Sequence, residues 1–142
     1  MEAELIDDDF KFITPFTCIL SGSSGSGKST IQLNFLKHHE ELMDKKPEHI
    51  YYIYNDFQPE FQSCTHLASF FKGWNHPELH PDYLSQKRNI LMLVDDSGDT
   101  VKDKSFLKLI FCKFSHHRGW NIILSLHNCF DPSIKDLRTI SL

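Results

Sequence analysis

Short apolar runs alternate along this chain with stretches whose apolar residues recur at helical spacing, and that alternation predicts an α/β fold. Thr17 to Ser21 reads as a short strand running into a glycine-rich loop. From Lys28 the residues Ile31, Phe35, Leu36 and Leu42 recur as on one helical stripe until Pro47 stops the pattern. Ile50 to Tyr54 is β-branched and aromatic, as in a strand. Between Asn55 and Arg88 the pattern is broken by Pro59, Gly73, Pro77 and Pro81, so this region is expected to be peripheral, with a helix over Phe61 to Phe71. Asn89 to Asp96 is almost continuously apolar and ends in two carboxylates, which suits a strand buried on both faces of a parallel sheet. Thr100 to Phe114 carries Phe106, Leu109, Ile110 and Phe114 at helical spacing, and Asn121 to Leu126 reads as a further buried strand. After Asp131 a short helix is expected, and Arg138 to Leu142 resembles the start of another strand, so the domain is expected to be truncated at its C-terminus.

A length of 142 residues with 40% hydrophobic positions allows one domain spanning 1–142, with 1–12 as a flexible acidic arm. The acidic start lacks the basic flank and apolar core of a secretory signal, and no apolar run nears the roughly 18 residues that cross a bilayer. An intracellular protein with no membrane partner is expected. The formal net charge of −4 brings no overall basic field, so a nucleic-acid contact has to come from a local patch or an assembled ring. Cys18, Cys64, Cys112 and Cys129 form no C-x-x-C pair, and neither Cys64 with His66 nor Cys112 with His116 and His117 has a second ligand pair at finger-like spacing. Reduced thiols are expected.

The chemistry concentrates in Gly22-Ser23-Ser24-Gly25-Ser26-Gly27-Lys28-Ser29-Thr30, which meets the pattern G-x-x-x-x-G-K-[ST]. Glycines let the backbone fold around an anion with its N–H groups pointing inward. The helix starting near Lys28 directs its free N–H groups at the same place. Lys28 can then reach the β- and γ-phosphates of a nucleoside triphosphate, expected to be ATP, and Ser29 can ligate Mg²⁺. A Ser/Gly linker has the same composition, but it need not lie between a strand and an amphipathic helix.

Such a loop needs a carboxylate at the end of a neighbouring strand to hold the metal through its water shell, and Asp95 fits. Asp96 follows it and is the candidate for polarising the attacking water, although an acidic turn at Asp96 to Asp99 would use the same residues. At the end of the strand Asn121 to Leu126, His127 and Asn128 are candidates for sensing the γ-phosphate and orienting water, or for simply solvating a strand end. Arg118 and Arg138 are candidates for a charge-stabilising finger, given in cis or to a neighbouring subunit.

Taken in order, Cys18 to Thr30, Ile90 to Asp96, Phe114-Ser-His-His-Arg-Gly-Trp-Asn-Ile-Ile-Leu-Ser-Leu-His-Asn128 and Leu137 to Leu142 resemble the genome-packaging ATPases of poxvirus type. These form a branch of the FtsK–HerA group found in large DNA viruses and Maverick/Polinton transposons. The resemblance implies a P-loop ATPase fold of the additional-strand type, with the strand of His127 inserted between the phosphate-loop strand and the Asp95 strand. It also implies a homo-oligomeric ring that pumps double-stranded DNA, a capsid or portal-like partner, and a location in the cytoplasm or nucleus of a host cell or in a virion. The group usually has Gln where this chain has His127. Two other readings stay open: a nucleotide-binding remnant without turnover, and a small P-loop kinase, which would be expected to carry more arginines than Arg88, Arg118 and Arg138. A GTPase would need an Asn-Lys-x-Asp stretch, which the sequence lacks.

Overall fold

The computed structural model describes residues 11–23, 27–95 and 115–126. Its elements in chain order are β1 (Thr17–Ser21), α1 (Lys28–Lys37), α2 (His39–Leu42), β2 (His49–Tyr54), β3 (Ser69–Lys72), α3 (Pro81–Leu84), β4 (Ile90–Val94), α4 (Ser115–Arg118) and β5 (Asn121–Leu126), with 3₁₀ turns at Pro59–Cys64 and Pro77–Leu79. The five strands form one sheet in the order β1-β5-β4-β2-β3, with every neighbouring pair parallel. The strand leading to His127 therefore lies between β1 and the strand leading to Asp95.

The near-continuous apolar runs of β4 and β5 follow from this position: each is covered on both faces. Ile90, Met92 and Val94 join Ile122, Leu124 and Leu126 in one layer, closed by Leu79, Leu84 and Trp120. Leu91, Leu93 and Ile123 face the opposite layer, where Leu33, Phe35 and Leu36 of α1 pack with Tyr52 and Phe61. Because side chains alternate along a strand, this parity also decides which layer each polar residue enters. Asp95, in step with Leu91 and Leu93, is directed to the α1 layer, as are Tyr52 and Ser125.

Two expectations are corrected. Ile31, placed on the inner stripe of the helix, is 52% exposed, and Gln32 occupies the inner position instead, fully buried. No helix spans Phe61 to Phe71; a 3₁₀ turn ends at Cys64 and Ser69–Lys72 pairs with β2 as the edge strand. Four residues with no polar alternation carry too little pattern to mark a strand, and the aromatic residues around them mimic a helical stripe. Pro59, Pro77 and Pro81 interrupt no element: each sits at the start of a helical turn, where its missing N–H is not needed.

Two left-handed residues set the entries to the central strands. Gly119 (φ 67°) directly follows α4, and Asn89 (φ 52°) precedes β4. Asn89 holds its turn by donating from its side chain to the Lys46 carbonyl at 2.7 Å and from its backbone to the Arg118 carbonyl at 2.9 Å. Phe12, within the expected N-terminal arm, pairs with Met43 and packs its ring tilted against Phe16 and edge-on to Phe35, at 5.0 and 5.4 Å between centroids. The expected helix over Thr100 to Phe114 and everything after Leu126 lie outside the described residues.

Candidate functional site

In a parallel sheet the C-terminal strand ends all open on one side, and there the loop after β1 meets the residue after β4. The loop is tied in place at its start by Gly22, whose N–H donates to the Leu126 carbonyl at 3.1 Å. At its end Gly27 takes φ 95°, ψ 10° as the residue before α1, and its carbonyl accepts the first helical bond from Ile31 at 3.0 Å. A Cβ at Gly27 would meet nothing within 4 Å, so glycine is required there by backbone conformation and not by space.

Lys28, the first residue of α1, is 9% exposed. Its ammonium donates to the Gly22 carbonyl and, at 3.3 Å, to the Ser23 carbonyl. The cation is thus held by the first two residues of its own loop. Ser29 Oγ donates to Asp95 Oδ1 at 2.9 Å, joining the start of α1 to the end of β4. Asp95 is 3% exposed, and its backbone N–H donates to the Ile53 carbonyl at 2.8 Å, which fixes it to β2.

Four further polar residues complete the arrangement and were not singled out from the sequence. Tyr52 donates its buried hydroxyl to Asp95 Oδ2 at 2.8 Å. Burial, and then the neighbouring Asp95 charge, push the Tyr52 phenol far above its ordinary ionisation range, so it keeps the proton that it donates to Asp95. Gln58 donates from Nε2 to Ser29 Oγ at 3.1 Å. Gln32, one turn beyond Lys28, donates to the Val94 carbonyl at 2.8 Å and to Ser125 Oγ at 2.7 Å, so α1 is bonded to the ends of both β4 and β5. A usable signal existed for Tyr52, since a phenol in the centre of a buried strand needs a polar partner. For Gln32 the signal is its polarity at the i+4 position from Lys28; Gln58 and Ser125 carry none.

Of the residues singled out from the sequence, Gly22, Ser23, Gly27, Lys28, Ser29, Thr30 and Asp95 are brought together at one end of the sheet. Ser24, Gly25, Ser26, Asp96, His127, Asn128 and Arg138 lie outside the described residues. Arg118 ends α4, and its carbonyl accepts from Asn89 at the start of β4. That is the N-terminal edge of the sheet, a strand length of about 20 Å from the loop. The backbone of Arg118 thus stands at the edge of the sheet opposite the loop.

Among the described residues, the donor set around Ser29 consists of hydroxyl, carboxylate and amide groups. Hard oxygen donors of this kind suit Mg²⁺, which prefers one or two carboxylate or hydroxyl contacts beside its waters and a substrate's phosphates. Among the described residues no group of three or more His, Cys, Asp and Glu side chains is gathered that would suit a softer metal. No helix among the described residues is long and apolar enough to cross a membrane. No family model, no curated protein and no solved structure matches the chain.

Proposed function

We propose that the chain binds ATP as its magnesium complex at the loop Gly22 to Thr30 and hydrolyses it, as the motor domain of a DNA-translocating ATPase of the genome-packaging type. One observation carries the reading: the Ser29–Asp95 bond of 2.9 Å, between the residue after the loop lysine and the acid at the end of β4. A glycine-rich stretch used as a linker has no reason to place a hydroxyl on a buried carboxylate of another strand.

In this reading each residue has a defined task. Glycines 22, 25 and 27 leave the loop backbone free to turn N–H groups toward the phosphates. Lys28 exchanges its bonds to the Gly22 and Ser23 carbonyls for phosphate oxygens, and that exchange keeps its charge satisfied in both states. Ser29 and Asp95 hold the magnesium, with Tyr52 fixing the carboxylate plane. The metal, when bound, neutralises charge on the β- and γ-phosphate oxygens. Asp96 polarises water, and His127 or Asn128 contacts the γ-phosphate; what supports the latter is that Leu126, the residue before them, accepts from the Gly22 N–H at 3.1 Å. Translocation of double-stranded DNA and a ring of subunits rest on the resemblance of the Phe114 to Asn128 and Leu137 to Leu142 stretches.

Steady-state phosphate release with and without double-stranded DNA tests the proposal. Turnover stimulated by DNA and abolished in Lys28→Ala supports it. Phosphate transfer to a nucleoside would make the chain a kinase, and nucleotide binding with no turnover would make it a remnant.

A further inference from the structure

Gln58 has a side chain without a local task. It is the residue before the 3₁₀ turn Pro59–Cys64, has extended backbone (φ −124°, ψ 141°), and makes no side-chain bond to the turn it precedes. Its amide reaches instead to Ser29, 29 positions earlier. The Ser29 hydroxyl has one proton, given to Asp95, and two lone pairs, one of which accepts from Gln58. Hydroxyl, carboxylate and amide are thus gathered around one oxygen that the proposed function makes a metal ligand.

The spacing, an ordinary hydrogen-bond length, is also compatible with two neighbouring ligands of one cation. Neighbouring oxygens of an octahedral magnesium site with bonds of about 2.0–2.1 Å lie about 2.8–3.0 Å apart. The Gln58 amide lies 3.1 Å from Ser29 Oγ. The amide has two ends of nearly the same shape, one a donor and one an acceptor, joined to the chain through a broad terminal torsion that turns at little cost. Facing a bare hydroxyl oxygen, the nitrogen end is the complementary one. Facing a divalent charge, the N–H is repelled and the carbonyl attracted.

We propose that Gln58 supplies a third protein oxygen to the magnesium site, its amide turned end for end relative to the arrangement in which it donates to Ser29. The inference rests on the function proposed above. A purely structural Gln58 makes the opposite prediction, because an N–H held on Ser29 competes with the cation and its removal tightens metal binding.

The test uses the whole chain with Mn²⁺ as the probe and ATPγS as a slowly hydrolysed nucleotide, with free Mn²⁺ counted by electron paramagnetic resonance. Gln58→Ala is expected to weaken Mn²⁺ binding by about tenfold, the low end of what loss of a partner at a metal site costs. Gln58→Glu keeps an oxygen and adds charge, so it holds Mn²⁺ at least as tightly as the unaltered chain. Both variants keep the circular dichroism spectrum and a cooperative urea transition of the unaltered chain without metal, which separates a metal role from a folding defect; Gln58→Met, of similar length without the amide, repeats the loss if the alanine variant unfolds. Unchanged or tighter Mn²⁺ binding in Gln58→Ala, or equal losses in the Ala and Glu variants, overturns the inference alone. Absence of Mn²⁺-dependent ATPγS binding by the unaltered chain overturns the functional reading with it.

Discussion

Replacing Tyr52 by Phe removes a single oxygen from the centre of the site. The side chain is fully buried and its hydroxyl donates to Asp95 Oδ2 at 2.8 Å. A hydrogen bond to a charged acceptor contributes about 1.5–3 kcal/mol net, so the variant is expected to lose about 2 kcal/mol. The ring keeps its neighbours Phe61 and Phe70, at centroid distances of 5.2 and 4.9 Å, so little is added for lost packing. For a chain of 142 residues that loss lowers the thermal midpoint by about 6–8 °C. Urea unfolding at pH 7 of the unaltered chain, Tyr52→Phe, Asp95→Asn and the double variant closes a cycle, with an expected coupling of about 1 kcal/mol or more. The alkaline limb gives a second readout. The phenol ionises far above its ordinary 10.0 in the folded chain, because of burial first and the Asp95 charge second. A raised folded-state pKa stabilises the fold fully below the unfolded value and loses that contribution as pH climbs toward the folded one. The unaltered chain is therefore expected to lose stability above about pH 10 more steeply than Tyr52→Phe. Equal stabilities at pH 7, or a coupling of zero, refutes the assignment of Tyr52 as the partner that holds Asp95.

Other substitutions probe the surrounding framework. Gly27→Ala is expected to cost about 1–2 kcal/mol in urea unfolding, all of it backbone strain at φ 95°, since the added methyl meets no neighbour; no loss means the loop adopts another conformation. Gln32→Leu leaves the Val94 carbonyl and the Ser125 hydroxyl without their donor and is expected to cost about 1–3 kcal/mol by the same assay, whereas a neutral result removes Gln32 as the tie between α1 and the two strands. Arg118→Ala is expected to leave the ATP affinity of a single chain within about twofold, because the residue stands at the opposite edge of the sheet by about 20 Å; a tenfold loss in calorimetry contradicts that placement.

β4 and β5 were legible because burial on both faces writes a continuous apolar run, β1 and β2 because their short runs are β-branched or aromatic, and all four stand within a residue or two of where those runs lie. β3 was not legible, since a four-residue edge strand among aromatic residues shares its pattern with a helical stripe. Lys28, Ser29 and Asp95 were legible through motif and strand-end chemistry. Tyr52 and Gln58 come from β2 and the segment after it, and no fixed spacing connects them to the loop. Only the sheet order, which sets β2 beside β4, brings Tyr52 to Asp95. Ile31 was misplaced because a helix rotation of one residue exchanges it with Gln32, and an inner glutamine is paired here through two bonds that only the fold supplies.

Calorimetric titration of ATP into the chain with Mg²⁺, in EDTA, and into Lys28→Ala tests the central claim most directly. The account predicts saturable binding that needs Mg²⁺ and weakens by about 10–100-fold in the variant, the loss of charge-assisted bonds to phosphate. No binding by the unaltered chain, or the same affinity in Lys28→Ala, contradicts it.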